Sequence, residues 1–161
     1  MARKVFVAAT GQNSGKTTTS LSLMYMARKK YKRVGFIKPF GPKPSIARNG
    51  MVADKDAVLM AEVFGLEEDL SLMSPLVLHP GDTQKLLEGE LSGAEMERKM
   101  FDAIDELDRK NDFLIIEGAG HTGVGSVLGF SNARVAKIAD APVVMVTGGG
   151  VGNVVDSAYM N

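Results

Sequence analysis

The 161-residue sequence contains no cysteine and no tryptophan. Without cysteine there is no disulfide, no thiolate metal site and no cysteine nucleophile, a composition that suits a reducing cytoplasm. An excess of charge is also missing. Nineteen lysines and arginines face nineteen aspartates and glutamates, so no overall field draws the chain to nucleic acid or to an anionic membrane. Any anion bound here must be held locally. Long hydrophobic runs are absent too. Val5 to Ala9, after Met-Ala-Arg-Lys, is too short for the core of a signal peptide, and nothing approaches the roughly 20 apolar residues of a membrane helix. The two histidines, His79 and His121, stand far apart, which argues against zinc. What remains is 45% hydrophobic and 24% charged. That is the make-up of an ordinary globular domain large enough to bury a core, expected to be soluble and cytoplasmic.

Val5 to Ala9 is an apolar, β-favouring run that leads directly into a glycine-bearing loop, as a buried parallel strand does. From Lys16 to Lys29, Leu21, Leu23, Met24 and Ala27 recur near helical spacing. Arg33 to Lys38 reads as a second strand stopped by Pro39. Gly41 to Ala53 shows no period and reads as a long loop, of the kind that is usually functional or mobile. Asp54 to Phe64 reads as a helix with an aspartate to cap its start and Gly65 to close its end. Leu70 to Leu78 gives only a short strand near Leu76 to Leu78. Ser92 to Glu95 forms a capping box opening a charged helix to about Lys110.

Phe113 to Ile116 is the clearest strand, and it ends on an acid, Glu117. A helix from about Ser131 to Ala139, a strand from Pro142 to Thr147 and a last helix from near Asn153 complete the chain. Strands alternating with helices predict an α/β fold with a mostly parallel sheet covered on both faces. The last helix reaches Asn161 with neither cap nor breaker, so the fold is expected to be truncated at its C-terminal end and continued by an additional domain.

The chemistry concentrates in Thr10-Gly11-Gln12-Asn13-Ser14-Gly15-Lys16-Thr17-Thr18. The phosphate-binding pattern is Gly, four residues, then Gly-Lys-Ser/Thr; here Thr10 holds the first position. A loop between a strand and a helix aims backbone N–H groups inward, and the helix start adds partial positive charge. Lys16 can reach the β- and γ-phosphates, and the Thr17 hydroxyl can coordinate Mg²⁺. A chance Gly-Lys-Thr at a helix start is the bland alternative, and the placement after the first buried strand weighs against it.

Glu117 ends a strand where a carboxylate can approach a magnesium shell, although alone it would read as a solvated strand end. Asp54 and Asp56 open one helix; Asp54 can cap it, leaving Asp56 spare. Gly118 to Gly123 formally matches a dinucleotide fingerprint, but no helix follows at once and no acid ends a second strand about 20 residues on. His121 remains a candidate ligand contact in that loop, whereas His79, beside Pro80, reads as structural.

Three segments together resemble the dethiobiotin synthetase-like family of P-loop proteins: Thr10 to Thr18, Val34-Gly-Phe-Ile-Lys38-Pro39, and Ile116-Glu117-Gly118-Ala119-Gly120. Asp56-Ala57 and Val146 to Asn153 add weaker likeness. The resemblance implies a three-layer P-loop NTPase fold binding ATP and Mg²⁺ over residues 1–161. It implies metal ligation by Thr17, Asp56 and Glu117, a catalytic role at phosphate for Lys16, and a catalytic Lys38 beside the γ-phosphate or the acceptor. The family phosphorylates a carboxylate or carbamate of a small-molecule acceptor before amide or ring closure.

Asp69-Leu-Ser-Leu-Met-Ser-Pro75-Leu-Val-Leu and Asp54-Lys-Asp56 look closer to the N-terminal domain of phosphotransacetylase-related proteins, where the domain senses ligands. Cobyrinic acid a,c-diamide synthases are a neighbouring branch. By the same analogy a homodimer is expected. The partitioning ATPases share Gly-Lys-Thr-Thr but carry a second lysine where Gly11 stands here.

Overall fold

Apolar runs without alternation form strands covered on both faces, and alternating helices supply the cover. In the computed structural model, which describes all 161 residues, the chain opens with β1 (Arg3–Ala9), α1 (Lys16–Ala27) and β2 (Val34–Ile37). Three short strands follow, β3 (Phe40–Gly41), β4 (Pro44–Ile46) and β5 (Val52–Asp54), then α2 (Lys55–Phe64), the single turn α3 (Leu70–Met73) and β6 (Leu76–Val77). Next come α4 (Asp82–Leu87), α5 (Gly93–Lys110), β7 (Phe113–Glu117), a 3-10 turn at Ser126–Leu128, α6 (Asn132–Ile138), β8 (Val143–Val146) and α7 (Val151–Met160).

The main sheet has the order β2-β7-β1-β8, and all its pairings are parallel. Alternate side chains of each strand therefore feed two separate cores. Phe6 and Ala8 of β1, with Leu114 and Ile116 of β7, enter the larger one beneath α5 and α6. Val5, Val7 and Ile115 enter the other, under α1 and α2, where Met24, Ala57 and Met60 meet them. This is the three-layer α/β architecture. In α5, Met100, Ala103, Ile104 and Leu107 recur on one face and are buried; a fully buried leucine such as Leu107 contributes about 1.5–3 kcal/mol.

Register carries function here. Val7 lies opposite Glu117, and Ile37 lies opposite Ile116, so Lys38 emerges level with Glu117. The loop after β1 leaves the same edge, where open α/β sheets bind ligands. Asp54 caps α2 by accepting from the Asp56 N–H, and Gly65 closes it at φ 58°. Ser92 accepts from the Glu95 N–H at the start of α5.

Several local expectations differ from the structure. Gly41 to Ala53 is not a plain loop. Phe40–Gly41 pairs in parallel with Leu76–Val77, and Pro44–Ile46 forms an antiparallel hairpin with Val52–Asp54. Helix α1 stops at Ala27, two residues before Lys29, and α3 and α4 were not anticipated. The last helix begins at Val151. Strand β8 is an edge strand with Val143 49% and Val144 39% exposed, less covered than its apolar sequence predicts. No helix is long and apolar enough to cross a membrane.

Candidate functional site

Between β1 and α1 the backbone turns through two left-handed residues, Asn13 at φ 57° and Gly15 at φ 95°. That conformation strains a residue with a side chain and suits glycine. Its consequence lies in the hydrogen bonding. The backbone N–H groups from Gly11 through Thr18 donate to no acceptor within the protein, whereas Thr10 donates to Val146 and Thr19 to Gly15. A run of free donors at a helix start, with the helix dipole behind it, is an anion cradle.

A cavity of about 370 Å³ opens against this loop. Gln12, Asn13, Gly15, Lys16, Thr17 and Thr18 line one side, and Lys38, Asp56 and Glu117 form its floor. Of the residues expected in the loop site, Thr10, Gly11 and Ser14 do not line the cavity. Thr10 instead extends the β1–β8 hydrogen bonding, at 3.1 Å to Val146. Gly11 leaves room for Ser14, whose hydroxyl lies 3.0 Å from where a Cβ would stand.

At the floor, the Lys38 ammonium donates to Asp56 Oδ2 and to Glu117 Oε1, each at 2.7 Å. The Thr17 hydroxyl lies 3.3 Å from Asp56 Oδ1 and 3.2 Å from Glu117 Oε1. Four chain segments thus converge on one point. Burial is the largest influence on Lys38 and lowers its pKa, but Glu117 and Asp56 together outweigh it and hold the ammonium above the usual lysine value. Burial likewise pushes Asp56 up, and Lys38, with smaller help from Lys55 and Thr17, pulls it below the usual carboxylate range. Asp54 behaves oppositely: burial dominates and raises it.

Lys16 donates to the Gly120 carbonyl. Burial, then repulsion from Lys38, lowers its pKa against the pull of Glu117 and Asp56. Its ammonium is therefore poorly compensated, as a cation awaiting an anion should be.

The donor set around Thr17 suits a hard divalent cation, since Asp56, Glu117 and the hydroxyl supply only oxygens. Glu117 is fully buried, yet its Oε2 has no hydrogen-bond partner, an arrangement that costs stability unless a cation or water completes it. The chain offers no group of three histidines, cysteines or carboxylates. A metal here would draw its remaining ligands from phosphate and water, as Mg²⁺ does at nucleotide sites.

Sequence reasoning missed several contributors. Pro42, Lys43, Lys55 and Val124 also line the cavity. Asn132 fixes the Gly118 to His121 segment: its side chain accepts from the Ala119 N–H at 3.0 Å and donates to the Ala119 and His121 carbonyls at 2.9 Å. Gly118 is required there, because a Cβ would meet Asn132 Oδ1 at 2.7 Å. The run Glu117-Gly118-Ala119-Gly120 thus places a metal-type ligand and the Lys16 acceptor in one pinned strand end. His121 stays outside the cavity, its Nδ1 accepting from the Gly123 N–H, and the His79 N–H donates to Asp82 in a turn.

A free-donor loop opening the first helix, set at the carboxyl edge of a parallel sheet, defines a P-loop α/β protein. The chain belongs to the AAA domain family, whose sequence model matches residues 3–161. It is 27% identical over 154 residues to the ATP-dependent dethiobiotin synthetase BioD of Methanocaldococcus jannaschii, covering 93% of this chain and 68% of that one. To the enzyme of the same name from Thermodesulfovibrio yellowstonii it is 24% identical over 116 residues, with 71% and 48% covered. The cobyric acid synthase of Streptococcus sanguinis is 26% identical over 182 residues, covering 99% of this chain and 35% of that protein. The chain therefore spans from about a third to about two thirds of these relatives' length. Among solved structures, the chimerical protein CapA2B2 superposes with a TM-score of 0.55 at 16% identity, over 99% of this chain and 70% of that one, a likeness of fold alone.

Proposed function

We propose that residues 1–161 form a nucleotide-binding domain that holds ATP with Mg²⁺ under the Gly11 to Thr18 loop. Its γ-phosphoryl group passes to a carboxylate or carbamate of a small acceptor, ahead of amide or ring closure. The observation carrying this reading is the convergence of Thr17, Lys38, Asp56 and Glu117 below a loop of free N–H donors. The relatives named ATP-dependent dethiobiotin synthetase support it.

Each residue has a role under this reading. The loop N–H groups and Lys16 bind phosphate oxygens. Thr17, Asp56 and Glu117 would hold Mg²⁺, which supplies charge neutralisation at the phosphates. An acceptor oxygen forms the new bond to the γ-phosphorus as the bond to the β,γ-bridging oxygen breaks, and ADP leaves with that electron pair. Lys38, fixed by two carboxylates, keeps a full positive charge at the cavity floor where charge spreads over the transferring group. Preorganised charge of this kind lowers a barrier without reorganisation at the moment of reaction.

The test is substrate-dependent ADP release, measured with a panel of diamino acids plus bicarbonate and of polycarboxylic acids plus ammonia. Release with at least one of them, abolished in Lys38→Ala, is the expected result. Tight ATP binding with no turnover across the panel would contradict transfer and assign the domain to nucleotide sensing.

A further inference from the structure

The only hydrogen bond of the Lys16 ammonium runs to the Gly120 carbonyl. Burial and repulsion from Lys38 disfavour its charge, so that carbonyl is the one fixed acceptor it has. Where the ammonium sits in the cavity therefore depends on where the Gly120 carbonyl points.

Gly120 cannot set that direction by itself. It stands at φ 49°, in the left-handed region that glycine enters and leaves at little cost. Its flanks are held instead by Asn132. The Asn132 carboxamide accepts from the Ala119 N–H and donates to the carbonyls of Ala119 and His121. The Asn132 backbone N–H donates to the Thr122 carbonyl at 3.1 Å. One residue thus grips the chain on both sides of Gly120 and leaves the Gly120 carbonyl to Lys16. Val124 closes the turn from the cavity side: a Cβ on Gly120 would stand 2.6 Å from Val124 Cγ2.

Helix capping does not account for Asn132. It is the first residue of α6, and the cap is Ser131, which accepts from the Arg134 N–H. Every hydrogen bond of the Asn132 side chain leaves its own helix. Its base is rigid, because Phe130, Val135 and Ala136 beside it are buried in the larger core. Asn132 itself is buried, and a buried carboxamide whose oxygen and N–H groups are all paired holds a single orientation.

Resting on the nucleotide reading, we propose that Asn132, which does not line the cavity, is a positioning residue for Lys16. It fixes the Gly120 carbonyl, and that carbonyl holds the ammonium beside the Gly11 to Thr18 loop. A phosphate oxygen then meets a cation already in place, and less side-chain freedom is lost on binding. The influence of Asn132 on nucleotide affinity passes through Lys16 and not through Glu117, the metal-type ligand on the same strand end.

The experiment has two arms. Calorimetry with Mg²⁺-ATP is run on a cycle of wild type, Asn132→Ala, Lys16→Met and the double variant. Asn132→Ala should weaken ATP about three- to ten-fold, the scale of one net hydrogen bond. Once Lys16 is methionine the same change should cost less than about two-fold, because the two residues act as one unit. Equal losses in both backgrounds would overturn the proposal and move the effect to Glu117 or to the fold. The second arm needs no nucleotide: brief acetylation with acetic anhydride, with Lys16 and Lys38 read by mass spectrometry. Asn132→Ala should raise Lys16 labelling several-fold and leave Lys38, held by Asp56 and Glu117, unchanged. No rise at Lys16, or an equal rise at both lysines, would overturn the proposal. Should Asn132→Ala fail to fold, Asn132→Asp repeats both arms, since its ionised carboxylate accepts from Ala119 but donates to neither carbonyl. Failure of the wild type to bind ATP would instead overturn the nucleotide reading, while the labelling still decides the clamp.

Discussion

Lys38 and Glu117 sit 2.7 Å apart at the ends of adjacent parallel strands, with Glu117 fully buried. The pairing follows from register, since Ile37 opposes Ile116. It means that a lysine and a metal-type carboxylate are held together before any nucleotide arrives. The Lys38 ammonium is the cation between Asp56 and Glu117.

Lys38→Ala therefore leaves two buried carboxylates uncompensated. Breaking a buried pair by removing one partner costs about 3–5 kcal/mol. Urea denaturation in EDTA should show a loss of that order, and millimolar Mg²⁺ should recover part of it by binding the freed carboxylates. A loss that Mg²⁺ leaves untouched would argue against a metal site at Asp56 and Glu117.

Alkaline pH should weaken ATP binding through Lys16. Burial holds its pKa below 10.5 in the free protein, and phosphate would raise it in the complex. A group whose bound-state pKa is the higher one contributes fully below its free-state pKa and is lost as pH rises through the bound-state value. The affinity should start to fall below pH 10.5, before Lys38 titrates, since Lys38 is shifted upward. Calorimetry across pH checks this, and Lys16→Ala should flatten the profile.

Gly41→Ala should cost about 1–3 kcal/mol through overpacking, because its Cβ meets Asp54 at the base of the hairpin. Thermal unfolding reads the stability. The same variant displaces Lys43 without touching the loop from Gly11 to Thr18, so ATP affinity should change little.

The sheet was legible in the sequence because its strands are continuous apolar runs. Phe113 to Glu117 and Val5 to Ala9 needed no tertiary information. The hairpin from Pro44 to Asp54 was not, because strands of three residues leave no period to read and Pro44 argues against pairing. Leu70–Met73 and Asp82–Leu87 are too short for helical spacing to emerge. Strand β8 was legible as a strand from its apolar run, but its exposure depends on what lies beside an edge, which local sequence does not encode.

At the site, Lys38, Asp56 and Glu117 stood out by family resemblance, and register explains why Lys38 and Glu117 meet. Lys43, Lys55 and Asn132 did not stand out. Their places depend on a hairpin and a side-chain clamp between segments far apart in sequence. One signal was available: a lysine between Asp54 and Asp56, at a helix start where a cation is disfavoured.

The central claim is that the free N–H donors from Gly11 to Thr18 and the Lys16 ammonium form an ATP site. Calorimetry of Mg²⁺-ATP with the wild type and Lys16→Ala tests it most directly. The wild type should bind one ATP, and the variant should bind about 10- to 100-fold more weakly, equal to the about 1.5–3 kcal/mol of a hydrogen bond to a charged group. Equal affinity in the two proteins, or no binding by the wild type, would contradict it.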